Sequence, residues 1–434
     1  VVPPMALSSS SSSSSVRPPP GPVLGAADAE GGFEAGGEET TEGPSGRNRG
    51  EGKDAKKRKK GTRREFDWSK ATFGHFVIKI AYVGTKYFGL AWQDPSACPN
   101  CPTVESKLFE ALIKTCLIRD RTSCSYSRCG RTDKGVHAAG NYIALQLREK
   151  PRKEGASGDD DYDYAAMLNG VLSSDIRMLA CCRAPPGFDA RFSCKYRAYQ
   201  YYFPLCGENL DRMREAAQSF VGAHDFRNFC KMDIEAVTNY RREVLSVSVQ
   251  EKPGGVGEFS VTGLAFLWHQ VRNMVAVLLL VGAGHEEPGI VRELLDIEKH
   301  PRKPIFEPAD ESGLVLRDCG FLDIPFAPGV PAPLAGETSA QSDFSASASA
   351  AETLQQMWAQ SRRVAAVQEC LAAAAGGGAF ASEFRPREKH TPLLRRGVGP
   401  SFEEKVQAFE VKKRRKGDAG TSAEPAEGDG DGDE

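Results

Sequence analysis

The stretch VLSVSVQEKPGGVGEFSVTGLAF, residues 244–266, decides the fold class. Two runs rich in alternating apolar residues, 244–251 and 259–266, flank a Pro-Gly-Gly turn, which is a hairpin signal. The segment that follows predicts a buried helix, because its apolar residues recur at helical spacing: Val271, Met274, Val275, Leu278 and Leu279. A hairpin followed directly by a buried helix favours an α+β fold over a doubly wound βαβ fold.

The same alternation of short strands and helices extends towards the N-terminus. The pattern predicts strands at 76–82, 142–147, 176–182 and 196–203. It predicts a helix capped by Thr103 and further helices near 164–172 and 210–221, and a shorter helix opens at Pro288. We therefore expect helices packed on one face of a largely antiparallel sheet.

Length and composition divide the 434 residues into an ordered body and two low-complexity ends. We expect residues 1–64 to be a disordered Ser/Gly-rich and basic arm. Residues 65–205 and 206–325 are expected to be N-terminal and C-terminal halves of a catalytic body. Residues 326–434 are expected to be a low-complexity tail with one helix near 351–375, a basic run and an acidic end.

Several classes of protein and site are disfavoured by the sequence. The 12 cysteines follow no small-domain disulfide spacing, which indicates a reducing compartment. The longest apolar run, Met274 to Gly284, is far shorter than the roughly 20 residues that a bilayer span needs. Cys98-x-x-Cys101 has no second pair at ligand spacing, so no metal site is predicted.

The most informative stretch is CGRTDKGVHAAG, residues 129–140, a loop punctuated by three glycines between a predicted helix and a predicted strand. Spacing alone is also compatible with an ordinary surface turn. A P-loop is excluded, because Lys134 precedes Gly135 instead of following a glycine. Asp133, flanked by Arg131 and Lys134, would stay ionised and could act as a nucleophile or base.

Basic residues cluster around this loop although the net charge is only −2. Residues 119–153 carry nine basic and three acidic side chains, and residues 177–197 carry five and one. Basic and aromatic residues interleave in FDARFSCKYRAYQYYF, residues 188–203, which suits phosphates and stacked bases but equally an ordinary strand. A third stretch, FLWHQVRNM at 266–274, groups polar residues at a helix start. The clusters indicate a positive surface of the kind that binds a phosphate backbone.

These three stretches together resemble the bacterial A type of the tRNA pseudouridine synthase family. The marker around that family's nucleophile, G-R-T-D-x-G-V-H-A, matches Gly130 to Ala138. Its A-R-F-S marker and R-x-Y-x-Y strand match 190–193 and 197–201, and its H-x-V-R-N helix start matches 269–273. The resemblance extends from about Phe66 to Leu322.

The resemblance implies a fold of two RRM-like halves that form one continuous, mostly antiparallel sheet with helices on one face and a basic cleft between the halves. It implies that Asp133 is the nucleophile, that Arg272 pairs with it, and that Tyr199 stacks on the base and assists proton removal at C5. It suggests substrate-binding roles for Arg131, Lys134, His137, Arg191, Arg197, Tyr201 and His269. The implied partner is tRNA, the implied cofactor is none, and a homodimer is expected.

Two further segments resemble one eukaryotic branch of the family, tRNA pseudouridine synthase 3, which acts on uridines 38 and 39 of the anticodon stem-loop. They are DFRNFCKMD at 225–233 and KHTPLLRR at 389–396. A rival interpretation is a tRNA-binding or tRNA-folding chaperone without catalysis. Basic runs at 47–64 and 412–416 predict residence in nucleus and cytoplasm, while the Ser-rich start leaves an organellar address open.

Overall fold

The computed structural model describes residues 66–96, 98–151, 161–325 and 390–420. These residues form nine strands and six α-helices. In chain order the elements are β1 (Phe73–Tyr82), α1 (Val104–Lys114), β2 (Ser127–Arg128), β3 (His137–Arg148), α2 (Tyr164–Asn169), β4 (Ile176–Arg183), β5 (Tyr196–Pro204), α3 (Leu210–Gln218), β6 (Gly222–Asp225), β7 (Arg241–Lys252), β8 (Val256–Gly263), α4 (Gln270–Gly282), α5 (Ile290–Leu295), β9 (Leu314–Gly320) and α6 (Phe402–Gly420).

All nine strands belong to one sheet, with the order β4-β1-β3-β9-β5-β8-β7-β6 and with β2 beside β3. Every pairing is antiparallel except that of β3 with β9, which is parallel at His137↔Val315 and Ala138↔Leu316. The prediction of one large, mostly antiparallel sheet is therefore confirmed.

The strongest local signals gave the right elements. The predicted hairpin is β7 paired with β8, and its turn is closed by Gly254 and Gly255 at positive φ. Thr103 caps α1 by accepting a hydrogen bond from the Ser106 N–H at 3.1 Å. The apolar stripe predicted after the hairpin lies in α4, which buries Val271, Met274 and neighbouring residues.

Two apolar cores lie along the sheet. The first is built from β1, β3 and α1, together with Leu316 and Cys319 of β9. The second is built around β5, β8 and α4, and it includes Val136 from the segment just before β3. Tyr199 of β5 packs against both cores. Residues that border the two cores at this junction are therefore held from both sides.

Part of the tail packs on the body, which the sequence prediction of a body ending at 325 did not anticipate. Leu393 is fully buried in the second core, and its N–H donates to Glu286 Oε1 at 2.6 Å. Val398 forms a β-bridge with Pro304. The helix predicted near 351–375 and the arm at 1–64 lie outside the described residues.

Two smaller predictions concern membranes and thiols. Among the described helices, none has the length and apolar character needed to cross a membrane. The structure joins Cys98 and Cys101, the pair for which the sequence predicts no metal site, in a disulfide.

A close backbone approach at Gly84 joins the end of β1 to the start of β3. A Cβ on this residue would lie 1.9 Å from the carbonyl oxygen of Val136, and the Gly84 N–H donates to His137 Nδ1 at 3.2 Å. We expect Gly84→Ala to lower the free energy of unfolding by about 2 to 3 kcal/mol, because the backbone must shift to admit the methyl group.

Urea denaturation measures this loss. Gly289→Ala is the matched control, since no atom lies within 4 Å of the position of its added Cβ. It should change the free energy of unfolding by less than about 0.5 kcal/mol. Equal stability of the two variants would contradict the close approach.

Candidate active site

The loop that carries Asp133 joins β2 to β3 and is fixed by a buried polar network. The Asn141 side chain accepts from the Gly130 N–H at 3.2 Å and donates to the Gly130 carbonyl at 3.0 Å. The hydroxyls of Thr132 and Tyr82 share a hydrogen bond of 2.7 Å. Because buried polar groups cannot trade these partners for water, the network holds the backbone on the N-terminal side of Asp133 in one conformation.

A second segment, the turn after β1, holds the loop from another side. The Leu90 N–H donates to the Thr132 carbonyl at 3.1 Å, and the Gly135 N–H donates to the Tyr87 carbonyl at 3.2 Å. Gly89 has φ +91°, and a Cβ there would lie 2.7 Å from the Thr132 carbonyl oxygen. A glycine is required here both for the left-handed backbone and for the close approach.

The start of α4 brings a histidine to Asp133. His269 Nε2 lies 3.7 Å from Asp133 Oδ2. His269 caps α4 in the left-handed region at φ 60°, which is uncommon for a residue other than glycine. Such conformations persist where the surrounding structure enforces them, and they cluster at functional sites. The sequence analysis had predicted a substrate-binding role for His269 but not this proximity to Asp133.

Arg272 does not make the direct ion pair with Asp133 that the resemblance implies. Its Nη2 pairs with Glu311 Oε2 at 2.8 Å, and its Nε donates to the Ala309 carbonyl at 2.6 Å. The guanidinium nevertheless acts on Asp133 through its charge. Glu311 is thus a second carboxylate at the site, and Gly135 packs against its side chain. No motif in the sequence singled out Glu311, because it lies in a polar turn before β9.

Burial and charge oppose each other at Asp133. Partial burial raises the pKa of Asp133 above its usual 3.8, and the Glu311 carboxylate raises this pKa further. Arg272, a hydrogen bond from Trp268 and the charge of Lys231 lower it. Burial and the nearby cations lower the pKa of His269 to about 4, so its ring is neutral at neutral pH. Asp133 therefore faces a neutral imidazole and a distant guanidinium.

The sheet register places Tyr199 in the same row as the end of the Asp133 motif. Leu316 of β9 pairs with Ala138 of β3 on one side and with Tyr199 of β5 on the other. The Tyr199 ring meets Phe266 edge to face at 5.2 Å between ring centroids. Burial raises the pKa of Tyr199 well above its usual range, so the phenol is protonated at neutral pH.

Three of the predicted substrate-binding side chains are exposed near the loop, namely Arg131, Lys134 and Arg191. The Lys134 ammonium lies 4.5 Å from the centre of the Phe88 ring, and the Arg191 guanidinium lies 5.4 Å from that of Phe192. Within the described ranges, no ion pair to a buried carboxylate holds these three cations away from a ligand.

Apart from His269, the remaining three predicted substrate-binding residues are committed to contacts within the protein. The His137 ring accepts from the Gly84 N–H. Arg197 donates to the carbonyls of Leu264 at 2.7 Å and Arg191 at 3.0 Å. Tyr201 is buried in the second core. The spacing of basic and aromatic residues could not distinguish ligand-binding side chains from structural ones, because both kinds alternate in the same way along a strand.

Three buried thiols lie behind the loop. The Sγ atoms of Cys129, Cys194 and Cys319 lie within 4.8 Å of one another, and no fourth His, Cys or carboxylate among the described residues joins them. Burial raises the pKa of Cys319 well above its usual range, and the Arg197 charge acts on all three thiols. Three thiols beside a guanidinium fall short of the four ligands of a structural zinc site.

Comparisons with known proteins identify the family. A family profile described as tRNA pseudouridine synthase matches residues 216–321. The tRNA pseudouridine synthase A of the archaeon Methanosphaera stadtmanae is 35% identical over 255 residues, which cover 58% of this chain and 85% of that protein. The chain belongs to the tRNA pseudouridine synthase family.

Two eukaryotic relatives are more similar in sequence. The tRNA pseudouridine(38/39) synthase of Homo sapiens is 44% identical over 286 residues, 61% of this chain and 59% of that protein. The Saccharomyces cerevisiae protein of the same name is 42% identical over 266 residues, 59% of this chain and 60% of that protein. This chain thus spans about three fifths of the length of these relatives.

Solved structures add little. A "Crystal Structure of a Cbf5-Nop10-Gar1 Complex" aligns with 47% of this chain and 44% of its own at 13% identity and a TM-score of 0.23, a similarity too low to bear on the fold.

The charges around Asp133 predict a shift on removal of Glu311. Because the Glu311 carboxylate raises the pKa of Asp133, we expect Glu311→Gln to lower that pKa, so that Asp133 ionises at a lower pH than in the wild type. Release of Arg272 from its ion pair acts in the same direction. A pH titration of the Asp133 carboxyl 13C signal, assigned through its loss in Asp133→Asn, measures the change.

Glu307→Gln is the control, because Glu307 is an exposed carboxylate four residues away that is not among the charges acting on Asp133. An Asp133 midpoint that stays in place or rises in Glu311→Gln would contradict the assigned electrostatics.

Proposed function

We propose that the chain is a tRNA pseudouridine synthase that isomerises uridine to pseudouridine in the anticodon stem-loop, at positions 38 and 39. The single observation that carries the proposal is the half-buried Asp133, held by a rigid loop where the two cores meet, next to His269 and within reach of the charge of Arg272. The names of the human and yeast relatives, tRNA pseudouridine(38/39) synthase, support positions 38 and 39 as the targets.

The reaction needs an ionised Asp133. In the proposed mechanism its carboxylate forms a bond to the target uridine or its ribose, and the N1–C1′ bond breaks. The freed uracil turns and C5 bonds to C1′. The bond to Asp133 breaks and returns the carboxylate, C5 loses its proton and N1 gains one. All atoms remain within one nucleotide, so the balance requires no redox, metal or nucleotide cofactor.

Tyr199 and Arg272 act around this carboxylate. The Tyr199 phenol is protonated at neutral pH, so its first role is to contact the uracil through its ring. Its oxygen could accept the C5 proton only while it gives up its own proton. Arg272 keeps Asp133 ionised through its charge rather than through a direct contact in the free protein.

Access to the base requires that the uridine leave its stack, which costs a few kcal/mol. The exposed cations Arg131, Lys134 and Arg191 would offset part of this cost by binding backbone phosphates.

The finer fold proposal is that the two cores correspond to two RRM-like halves with a basic cleft between them. A complex with tRNA that leaves this junction uncovered would contradict it.

Two further proposals concern assembly and location. We expect a homodimer, and a monomeric mass by light scattering at micromolar concentration would contradict it. Residence in nucleus and cytoplasm rests on the basic runs, of which Lys412, Lys413 and Arg414 are exposed on α6. Unchanged distribution after removal of both runs would remove its support.

The decisive test uses purified protein and unmodified tRNA. We expect pseudouridine at positions 38 and 39 with the wild type and a rate lower by about a thousandfold or more with Asp133→Ala, because the nucleophile is lost while binding remains. Nucleoside mass spectrometry and site mapping measure the product, and a filter assay measures binding.

Two controls accompany this test. Glu110→Gln removes an exposed carboxylate of α1 and should leave the rate unchanged. Asp133→Asn should melt at no lower temperature than the wild type, because burial disfavours the charge that it removes. Full tRNA function with Asp133→Ala would instead favour the chaperone interpretation.

A further inference from the structure

A cavity of about 290 Å³ lies next to the site already described. Its walls include His269, whose ring is 3.7 Å from Asp133, and Asn273 on the following turn of α4. The opposite parts come from the loop at 230–232, the segment at 303–308 and the tail at 399–405. The volume lies at the lower end of the range of small-ligand sites. One residue, His269, thus borders both the nucleophile and the cavity.

The charges that line the cavity are all of one sign. Lys231, Lys303 and Lys405 line it together with His269, and no carboxylate does. Among the described residues, no carboxylate lies within 4 Å of any of these three ammonium groups. Most other partly buried cations in the described part of the chain lie next to a carboxylate or several carbonyls, so an uncompensated cluster indicates an anionic ligand.

Lys303 is the centre of this cluster. Its ammonium donates to Asn273 Oδ1 at 2.8 Å and to the Cys230 carbonyl at 3.4 Å, and it lies 4.6 Å from the centre of the Phe306 ring. An ammonium has three protons, so one remains for a ligand in the cavity. Burial lowers the pKa of Lys303 to about 8; the Cys230 side chain partly offsets this effect, and the charge of Lys405 adds to it. A bound anion would stabilise the charged form and raise this pKa.

The tail wall is anchored firmly enough to form part of a site. His390 Nε2 lies 3.0 Å from Glu286 Oε1, which also accepts from the buried Leu393 N–H. Phe402 meets the Tyr240 ring at 5.6 Å and the Arg227 guanidinium at 5.6 Å. Leu393 also shares the second core with residues of the segment 225–233, so the described residues 390–396 and the segment 225–233 border the same core.

We propose that this cavity is a phosphate-binding subsite for the RNA backbone, that it holds a phosphate of a nucleotide flanking the target uridine, and that the tail at 399–405 forms one of its walls. The proposal rests on the proposed function only in that the ligand is RNA. It gives the tail a role in positioning the substrate. Phosphate suits the site because three lysine ammonium groups, one of them partly buried, recognise charge rather than base identity.

The test measures RNA binding without turnover, in an Asp133→Asn background. Lys303→Gln removes the central charge and keeps a donor for Asn273. We expect it to weaken binding of an anticodon stem-loop RNA by about tenfold or more and to lower the slope of log K against log salt by about 0.7 to 0.9. Arg302→Gln is the matched control, because it removes the same charge from the adjacent exposed residue, whose side chain pairs with Glu404 instead.

The phosphate is located by replacing single phosphates near the target with neutral methylphosphonates. One position should weaken binding to the Asp133→Asn protein but not to its Lys303→Gln form, since the two changes remove the same contact. Lys405→Gln should weaken binding less than Lys303→Gln does, and its effect should concern the same phosphate position. This variant tests the tail wall independently of any effect of Lys303 on folding.

Two results would overturn the subsite: Lys303→Gln that binds as Arg302→Gln does, or methylphosphonates that weaken both proteins equally at every position. Lys405→Gln that matches Arg302→Gln would overturn the tail wall. Failure of the proposed function would give a different result. The methylphosphonate effect would still depend on Lys303, but the wild-type protein would form no pseudouridine.

Discussion

The pairing of β9 with two strands at once is the constraint on which the site depends. β9 runs parallel to β3 at His137 and Ala138 and antiparallel to β5 around Tyr199. Without it the sheet would separate into two smaller sheets, each with its own core. The Asp133 loop precedes β3, whereas the Arg272 helix packs in the second core. The shared strand fixes their separation together with Val136, which precedes β3 and packs in the second core, because each half is rigid in itself.

The chemistry of the site follows from an incomplete compensation of charge. Asp133 is buried enough for its pKa to rise, yet the strongest nearby cation, Arg272, is occupied by Glu311. The His269 ring, whose Nε2 lies 3.7 Å from Asp133 Oδ2, is neutral at neutral pH. A carboxylate that no fixed partner neutralises keeps its reactivity, whereas a direct Arg pair would lower its basicity. The free protein thus holds a reactive group at some cost in stability, as functional sites commonly do.

Local patterns in the sequence were sufficient for the main elements and drew attention to the Asp133 loop, but they did not predict the long-range contacts. The hairpin β7–β8 and helix α4 follow from period-2 and helical spacing, and the motif around Asp133 marks the site. The seven residues of β9 carry no comparable signal, since a short strand in the middle of a sheet is specified by its neighbours. Glu311 was missed for the same reason: it reaches the site through β9, 178 positions after Asp133 in the chain.

The tail shows the same dependence on distant contacts. Its composition between 326 and 434 predicts no packed core, yet Leu393 helps to anchor a short segment because it enters a core that already exists. Once Leu393 and the Glu286 contacts hold that segment, the β-bridge at Val398 and the first turn of α6 bring Lys405 to the cavity beside His269. A polar segment can therefore contribute to a site although few of its residues enter a core. Average composition is for this reason a poor guide to where the functional body of this chain ends.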